Sequence, residues 1–237
     1  MRVAEIWRYP VKSLQGEQLA TASIGSRGLV GDRQWGLLDP ATGFVLTARR
    51  EARLLFASAS LTDAGPVVTL EDGTPLDDDD ALSSWLGRPV QLVTAAGRVG
   101  RYEASLDRYR DDAPWTSWQG PEGSFHDSGQ TQVSIVSRAS LGTWDRRRFR
   151  FNLVLDEGAD ADLVGSSFAI GGAVLSVVKR ISRCVMTTRP QPGGIERDLN
   201  VLRTIVADMD GCMGIGALVS APGTVAVGDA VDVRWAP

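Results

Sequence analysis

The sequence predicts a mainly β protein of the α+β class, with a few short helices and two domains. Short apolar or alternating runs recur between Gly, Pro, Asp and Asn turn signals, which is typical of strands. Helical spacing is confined to short stretches. A segment rich in Pro, Gly and Asp, residues 109–123, interrupts the pattern and is predicted to be a loop or linker. We therefore predict one domain over residues 1–110 and another over residues 111–237.

The first domain is predicted to consist mostly of short strands. They fall near residues 3–7, 19–24, 35–39, 44–47, 54–60 and 67–70. Strands with this spacing favour a small barrel or a sandwich. Residues 77–87 predict one short helix, because aspartates complement the N-terminal end of a helix dipole and Gly87 can end the helix. The aspartates lack the spacing of a calcium-binding EF-hand loop.

The second domain is predicted to alternate strands with two short helices. Strands are expected near residues 132–137, 151–155, 173–178, 216–220 and 224–233. Ser137 can cap a short helix that follows it, and residues 196–205 have apolar spacing compatible with a second helix.

Composition and charge exclude several classes of function. The chain has 237 residues, a net charge of −4 and a sequence pI near 5.1, which argues against a nucleic-acid partner, since polyanion binding needs a concentrated basic surface. Two cysteines are too few for a disulfide scaffold. No window has the length of about 18 apolar residues that a membrane span needs. We expect a soluble cytoplasmic protein with no export signal and no membrane partner.

Cys184 is the first candidate functional residue. It follows a predicted buried strand and stands between Arg183 and Arg189. A neighbouring positive charge favours the thiolate, which attacks electrophiles or binds soft metals. The alternative is an inert structural thiol, because free cysteines are often buried. Cys212 has no charged neighbour in sequence and is predicted to be structural.

Further candidates have a functional and a structural interpretation. Lys12 and Ser13 follow a strand on a predicted loop, and Arg33 could either pair with Asp32 or bind a phosphate. The arginine-rich residues 146–150 could face an anion or form a solvated edge. His126, beside an aspartate, could serve as a base in a cysteine hydrolase or peroxidase. Trp115 and Trp118 either pack on the core or cover a site opening.

Five short motifs together resemble a known family. In chain order they are Tyr9-Pro10-Val11-Lys12-Ser13, Gly31-Asp32-Arg33-Gln34-Trp35, Arg148-Phe149-Arg150-Phe151-Asn152, Ser182-Arg183-Cys184-Val185-Met186-Thr187-Thr188 and Val227-Gly228-Asp229-Ala230-Val231. This order resembles that of MOSC-domain proteins with the associated N-terminal β-barrel domain, the group that includes the mitochondrial amidoxime-reducing component. The resemblance implies an N-terminal β-barrel-like domain followed by a MOSC β-barrel.

The resemblance also implies a site for the molybdenum cofactor, molybdopterin. Cys184 would be the metal ligand and the catalytic residue, and Lys12, Ser13 and Arg33 would hold the pterin phosphate. The remaining cofactor-binding positions implied by the motifs are Arg150, Asn152, Ser182 and Arg183. Phe151 stands where the family pattern usually has proline.

The activity implied by the resemblance is the reduction of small N-hydroxylated compounds. Electrons would come from a separate reductase and a ferredoxin, flavodoxin or cytochrome b5-type carrier, because the sequence has no ferredoxin-like extension. The alternative is a protein that carries the molybdenum cofactor or sulfur on Cys184 without redox turnover of its own.

Overall fold

The computed structural model describes residues 1–110, 112–158 and 160–235. These residues contain seventeen β-strands and three short α-helices, which confirms the predicted fold class. No helix among them is long and apolar enough to cross a membrane.

The strands are β1 Val3–Arg8, β2 Glu17–Leu19, β3 Thr21–Gly25, β4 Gly28–Leu29, β5 Trp35–Leu38, β6 Ala57–Thr62, β7 Gly65–Leu70, β8 Gln91–Thr94, β9 Val99–Ser105, β10 Trp115–Glu122, β11 Val133–Ser137, β12 Leu153–Leu155, β13 Ser166–Ile170, β14 Ala173–Ser182, β15 Cys212–Ala221, β16 Gly223–Ala226 and β17 Val231–Trp235. The α-helices are α1 Asp79–Leu86, α2 Arg138–Leu141 and α3 Leu199–Asp208. Short 3-10 helices span Ala52–Phe56, Arg146–Arg148, Asp160–Leu163 and Val185–Thr188.

One large sheet joins the two ends of the chain. Its eight strands lie in the order β17-β13-β14-β15-β11-β12-β1-β2. All neighbours are antiparallel except β11 and β12, which are parallel. Strands β1 and β2 therefore pair within the same sheet as strands from the second half of the chain, and β3 pairs with β16. The division at residues 110 and 111 stays a prediction.

Apolar side chains form separate clusters on the two faces of this sheet. On one face, Ile6, Ile135 and Phe168 belong to a fully buried cluster. On the other face, Phe151 packs with Ile205 of α3. Because both faces are covered, strand β12 is buried at every position rather than at alternate ones. A further cluster lies within residues 11–92, where α1 packs on the short strands.

Helix α1 begins and ends as the sequence predicts. The Asp78 side chain accepts a hydrogen bond from the Ala81 N–H at 2.8 Å, which satisfies an amide at the helix start. Gly87 ends the helix with a left-handed φ of 63°.

The prediction of a loop or linker over residues 109–123 is wrong in its second half. Strand β10 runs there and pairs with β9. The Trp118 ring packs on Tyr102 with centroids 5.0 Å apart, so aromatic cross-strand packing outweighs the local turn signals. Gly120 and Pro121 lie where the register shifts between Gln119 and Glu122, which is where a strand tolerates them.

The close packing around Gly214 gives a test of the fold. A Cβ atom at Gly214 would lie 2.2 Å from Phe151 Cε1, and the residue has a φ of +74°. Gly97 has a similar φ of +67° with nothing within 4 Å of such a Cβ. We expect Gly97→Ala to cost about 1 kcal/mol from the left-handed backbone alone. Gly214→Ala adds overpacking and should cost roughly 3 kcal/mol.

Urea unfolding of both variants measures this difference in the free energy of unfolding. Equal losses for the two variants would contradict the packing of Phe151 against Gly214.

Candidate functional site

A cavity of about 300 Å³ lies against the end of β14. All eight residues predicted for the site line it, and they come from four separated parts of the chain: Lys12, Ser13, Arg33, Arg150, Asn152, Ser182, Arg183 and Cys184. The structure therefore brings the predicted residues together. Their roles as ligands of a cofactor stay predictions.

Cys184 stands at the turn that follows β14. The Arg183 N–H donates to the Gly211 carbonyl at 2.8 Å, which fixes the chain where the strand ends. The Cys184 carbonyl accepts bonds from the Thr187 N–H and hydroxyl, both at 3.1 Å, and these close the 3-10 helix Val185–Thr188. Cys184 is half-buried and its thiol is free. The backbone is therefore fixed while the sulfur remains available.

Arg148, which is not among the predicted site residues, stabilises this turn. Its guanidinium donates to the carbonyls of Thr187 at 3.3 Å, Arg189 at 3.0 Å and Glu196 at 2.6 Å. Charge-assisted bonds to three carbonyls hold the cysteine turn in one conformation. The arginine-rich sequence indicated a functional region. It could not predict which backbone carbonyls Arg148 would bond to, because every residue has a carbonyl.

The other arginines of residues 146–150 divide between two roles. Arg146 lies 3.0 Å from the centre of the Trp7 ring, and Arg147 pairs with Asp145. Neither lines the cavity, whereas Arg148 and Arg150 do. Arg146 and Arg147 therefore make contacts outside the cavity, whereas Arg148 and Arg150 form part of its wall.

Three cavity residues have a left-handed backbone. Ser13, Arg33 and Arg150 have φ values of 71°, 51° and 53°, which costs free energy for residues other than glycine. Side-chain bonds hold them together: Arg150 Nη1 donates to the Ser13 carbonyl at 2.9 Å, and Arg33 Nη2 donates to the Arg150 carbonyl at 3.1 Å. Three distant loops are locked in this way at one wall of the cavity.

Lys12 is a buried cation. Its Nζ donates to the Phe125 carbonyl at 3.0 Å, forms an ion pair with Asp127, and lies 4.4 Å from the centre of the Tyr102 ring. Burial lowers the pKa of Lys12, and Asp127 opposes that shift. For Asp127 itself, desolvation would raise the pKa, but attraction to Lys12, Arg150 and Arg33 outweighs it and holds the pKa below its usual range. The ion pair with Lys12 therefore favours the carboxylate form of Asp127.

Arg33 is anchored by a buried carboxylate. Asp32 accepts a bond from the Tyr9 N–H at 2.8 Å and pairs with Arg33. Burial opposes the charge of Arg33, but attraction to Asp32 outweighs it and raises the pKa of the guanidinium. Arg33 is thus a fixed positive charge on the cavity wall.

The side chains of Arg183 and Asn152 form hydrogen bonds with other residues of the protein. Arg183 donates to the Met213 carbonyl from Nε at 3.0 Å and from Nη2 at 2.8 Å, and burial lowers its pKa to about 10. Asn152 Oδ1 accepts from the Ser134 hydroxyl at 2.8 Å, and Nδ2 donates to the Trp7 carbonyl at 3.2 Å. Asn152 therefore joins neighbouring strands as well as lining the cavity.

The tryptophans and the histidine do not have the functional roles considered from sequence. Trp118 packs on Tyr102 and Trp115 lies under Arg50; neither lines the cavity. His126 does line it, but among the described residues it makes no hydrogen bond to Cys184, and its Nε2 lies 3.9 Å from Asp32 Oδ2. This arrangement gives no support to a Cys–His pair of a hydrolase.

The buried histidine makes the folded protein sensitive to acid. Burial, helped by Arg33, lowers the pKa of His126 from 6.5 to about 4. Between these values the unfolded chain binds a proton that the folded protein does not, so stability falls as the pH falls through this window. The loss amounts to roughly 3 kcal/mol.

We expect His126→Gln to flatten this loss of unfolding free energy between pH 7 and about pH 4. Because His126 is the only histidine, its imidazole proton resonance also reports the pKa directly by NMR. A midpoint near 6.5 would contradict the burial of this side chain.

Comparisons with known proteins agree with this architecture. Residues 1–93 match the MOSC N-terminal beta barrel domain, and residues 122–232 match the MOSC domain. The chain is 26% identical to human mitochondrial amidoxime-reducing component 1, over 97% of this chain and 82% of the relative. It is 25% identical to the molybdenum cofactor sulfurase of Drosophila willistoni, over 92% of this chain but only 31% of that protein's length.

Among solved structures, the YUAD protein from Bacillus subtilis is similar over 100% of this chain and 96% of its own, with a TM-score of 0.46 and 14% identity. The two domain matches together cover most of the sequence. The chain belongs to the MOSC-domain proteins that carry the N-terminal β-barrel domain.

Proposed function

We propose that this protein is a molybdenum-cofactor oxidoreductase that reduces small N-hydroxylated compounds with electrons from a separate carrier. One observation carries the proposal: a single free thiol and six cationic side chains line the same cavity. The name of the human relative describes a component that reduces amidoximes. The named activity of that relative supports the substrate class proposed for this chain.

The donor set of the cavity fits this cofactor. The described residues contain no group of three or more His, Cys, Asp and Glu side chains that could hold a metal ion. A site with one protein ligand suits a metal that arrives with sulfur ligands of its own, and thiolate is a soft ligand. Lys12 is buried and Arg33 is partly buried, and both are cations suited to an anionic phosphate.

When bound, the cofactor supplies two-electron chemistry in which oxygen leaves the substrate nitrogen. Cys184 would provide the protein ligand. The guanidinium groups of Arg150 and Arg183 interact electrostatically with the Cys184 sulfur, and this interaction opposes the lowering of their pKa by burial. Ser13 and Ser182, which also line the cavity, would offer hydroxyl groups to the cofactor.

The overall reaction consumes two electrons and two protons. The N–O bond breaks, the nitrogen keeps a hydrogen in place of the hydroxyl group, and the oxygen leaves as water. We propose a ferredoxin, flavodoxin or cytochrome b5-type protein as the carrier, reduced by its own reductase. The two unpaired thiols fit a reducing cytoplasm.

A second candidate function is delivery of the cofactor or of sulfur. The likeness to a molybdenum cofactor sulfurase supports it. In this case Cys184 would hold the cofactor or a persulfide without turnover.

Replacement of the two cysteines tests the proposal. We expect wild-type protein from a cofactor-competent host to contain near-stoichiometric molybdenum and to reduce benzamidoxime with reduced methyl viologen. Cys184→Ser should lose both, because a hydroxyl group is a poor ligand for a soft site. Cys212→Ser is the matched control and should retain both, since Cys212 does not line the cavity.

Elemental analysis and amine product formation give the two readouts. Full activity of Cys184→Ser would refute the proposal. Retained molybdenum without turnover by wild-type protein under any donor would favour the carrier function instead.

A further inference from the structure

Both lysines of this protein line the cavity. The sequence has 25 basic residues, but only Lys12 and Lys179 are lysines. Lys12 is buried beside Phe125, Asp127 and Tyr102, at what we call the inner wall of the cavity. Lys179 is half-buried on β14. Lys179 is not among the residues that the family motifs assign to the cofactor. The family motifs therefore do not explain why Lys179 lines the cavity.

Lys179 is the least engaged of the cations in the described cavity wall. The other five donate to carbonyl or carboxylate oxygens of the protein: Lys12, Arg33, Arg148, Arg150 and Arg183. The Lys179 ammonium makes one long bond, 3.4 Å to Gln130 Oε1, and no ion pair with a described residue. An ammonium has three donors, so Lys179 has capacity left for a ligand.

Strand geometry places Lys179 away from the cysteine. Side chains alternate along a strand, and Lys179, Ile181 and Arg183 all line the cavity. Strand β14 ends at Ser182, so three residues of strand separate Lys179 from Ser182 by roughly 10 Å. Arg180 points elsewhere and pairs with Asp210 at 3.0 Å. Lys179 thus marks the part of the cavity remote from Cys184.

A free hydroxyl lies beside the lysine. Lys179 is paired with Gly216 of β15, which is in turn paired with Ser134 of β11. Thr131 covers Gly216, since a Cβ atom there would lie 2.6 Å from Thr131 Oγ1. The Thr131 hydroxyl lines the cavity and has no hydrogen-bond partner among the described residues. Lys179 and Thr131 therefore both line the cavity near the strand position of Gly216.

The charge of the cavity favours an anion there. Six cationic side chains line it, against the single carboxylate of Asp127. A bound cofactor phosphate would engage the inner cations and still leave positive charge at the outer end. A neutral or cationic ligand would leave the Lys179 charge without a partner.

We propose that Lys179, assisted by Thr131, binds a carboxylate on the substrate, at the end remote from the N–O bond. Lys179 is then a specificity-determining residue, and the preferred substrates are N-hydroxylated compounds that carry a carboxylate. This inference rests on the proposed function for the reaction, but the binding of the carboxylate does not depend on turnover.

The test compares a neutral substrate with its carboxylate analogue on molybdenum-loaded protein. Benzamidoxime and 4-carboxybenzamidoxime differ in one charged group. We expect Lys179→Met, which keeps the length of the aliphatic chain, to raise KM for the carboxylate about tenfold, as a half-buried ion pair is worth more than an exposed one. The kcat for both substrates and KM for benzamidoxime should stay unchanged.

Lys179→Glu should reverse the preference between the two substrates, and raised salt should weaken the wild-type preference because the site opens to solvent. Arg180→Met is the matched control: it removes a cation from the adjacent position, outside the cavity, and should alter neither KM. Equal changes in KM for both substrates, or none, would overturn the proposal. So would loss of molybdenum from Lys179→Met, since the lysine would then hold the cofactor.

Calorimetric binding of the products separates this inference from the proposed function. We expect the loaded wild-type protein to bind 4-carboxybenzamidine more tightly than benzamidine, and Lys179→Met to lose that difference. If the protein reduces neither amidoxime but shows this binding difference, the proposed reaction fails and the anion site stands. If it reduces both amidoximes and the binding difference is absent, only the anion site fails.

Discussion

Repulsion among six positive side chains in one cavity is the constraint to which the surrounding structure responds. Burial removes solvent from these charges, and it lowers the pKa of Lys12, Arg150 and Arg183. The compensating groups are few in number: Asp127 faces Lys12, and Asp32 faces Arg33. Backbone carbonyls supply most of the remaining acceptors. Satisfying the guanidinium groups therefore fixes the positions of the loops that carry those carbonyls.

This arrangement explains why the cavity walls are tied across long sequence distances. The Arg150 guanidinium bonds to the Ser13 carbonyl, 137 positions away along the chain, and Tyr9 bonds to the Phe151 carbonyl at 3.2 Å. Strand β1 leads into the first of these loops and pairs with β12 in the large sheet. The inner wall of the cavity thus depends on the same pairing that joins the N-terminal strands to the rest of the sheet. An anionic ligand would relieve the repulsion and stabilise the folded state by binding it selectively.

The sequence was sufficient for the fold class, because strand patterns are local features. The resemblance of five motifs to a family supplied eight residues that the structure places around one cavity, although not the rest of its lining. The sequence was insufficient where the partner of a side chain is backbone. Within the described part of the chain, the guanidinium groups of Arg148 and Arg183 donate hydrogen bonds only to carbonyls. Carbonyls belong to every residue and carry no compositional signal. The left-handed backbone of Ser13, Arg33 and Arg150 was equally hidden, since the residue types that usually mark it are glycine and asparagine. Strand β10 was missed because Trp118 packs on a tyrosine of the neighbouring strand.

The distribution of hydrogen bonds separates two kinds of cavity residue. Arg33, Arg148 and Arg150 each hold a loop in place, so a change at any of them alters the shape of the cavity together with its charge. Among the described residues, Lys179 makes only one long hydrogen bond, to Gln130. Its strand is fixed instead by backbone pairing to β13 and β15. Because the strand positions this side chain and the side chain holds no loop in place, its replacement should have little effect on the inner wall of the cavity. Selectivity for the remote end of a substrate can therefore change at this position while the inner wall keeps its structure.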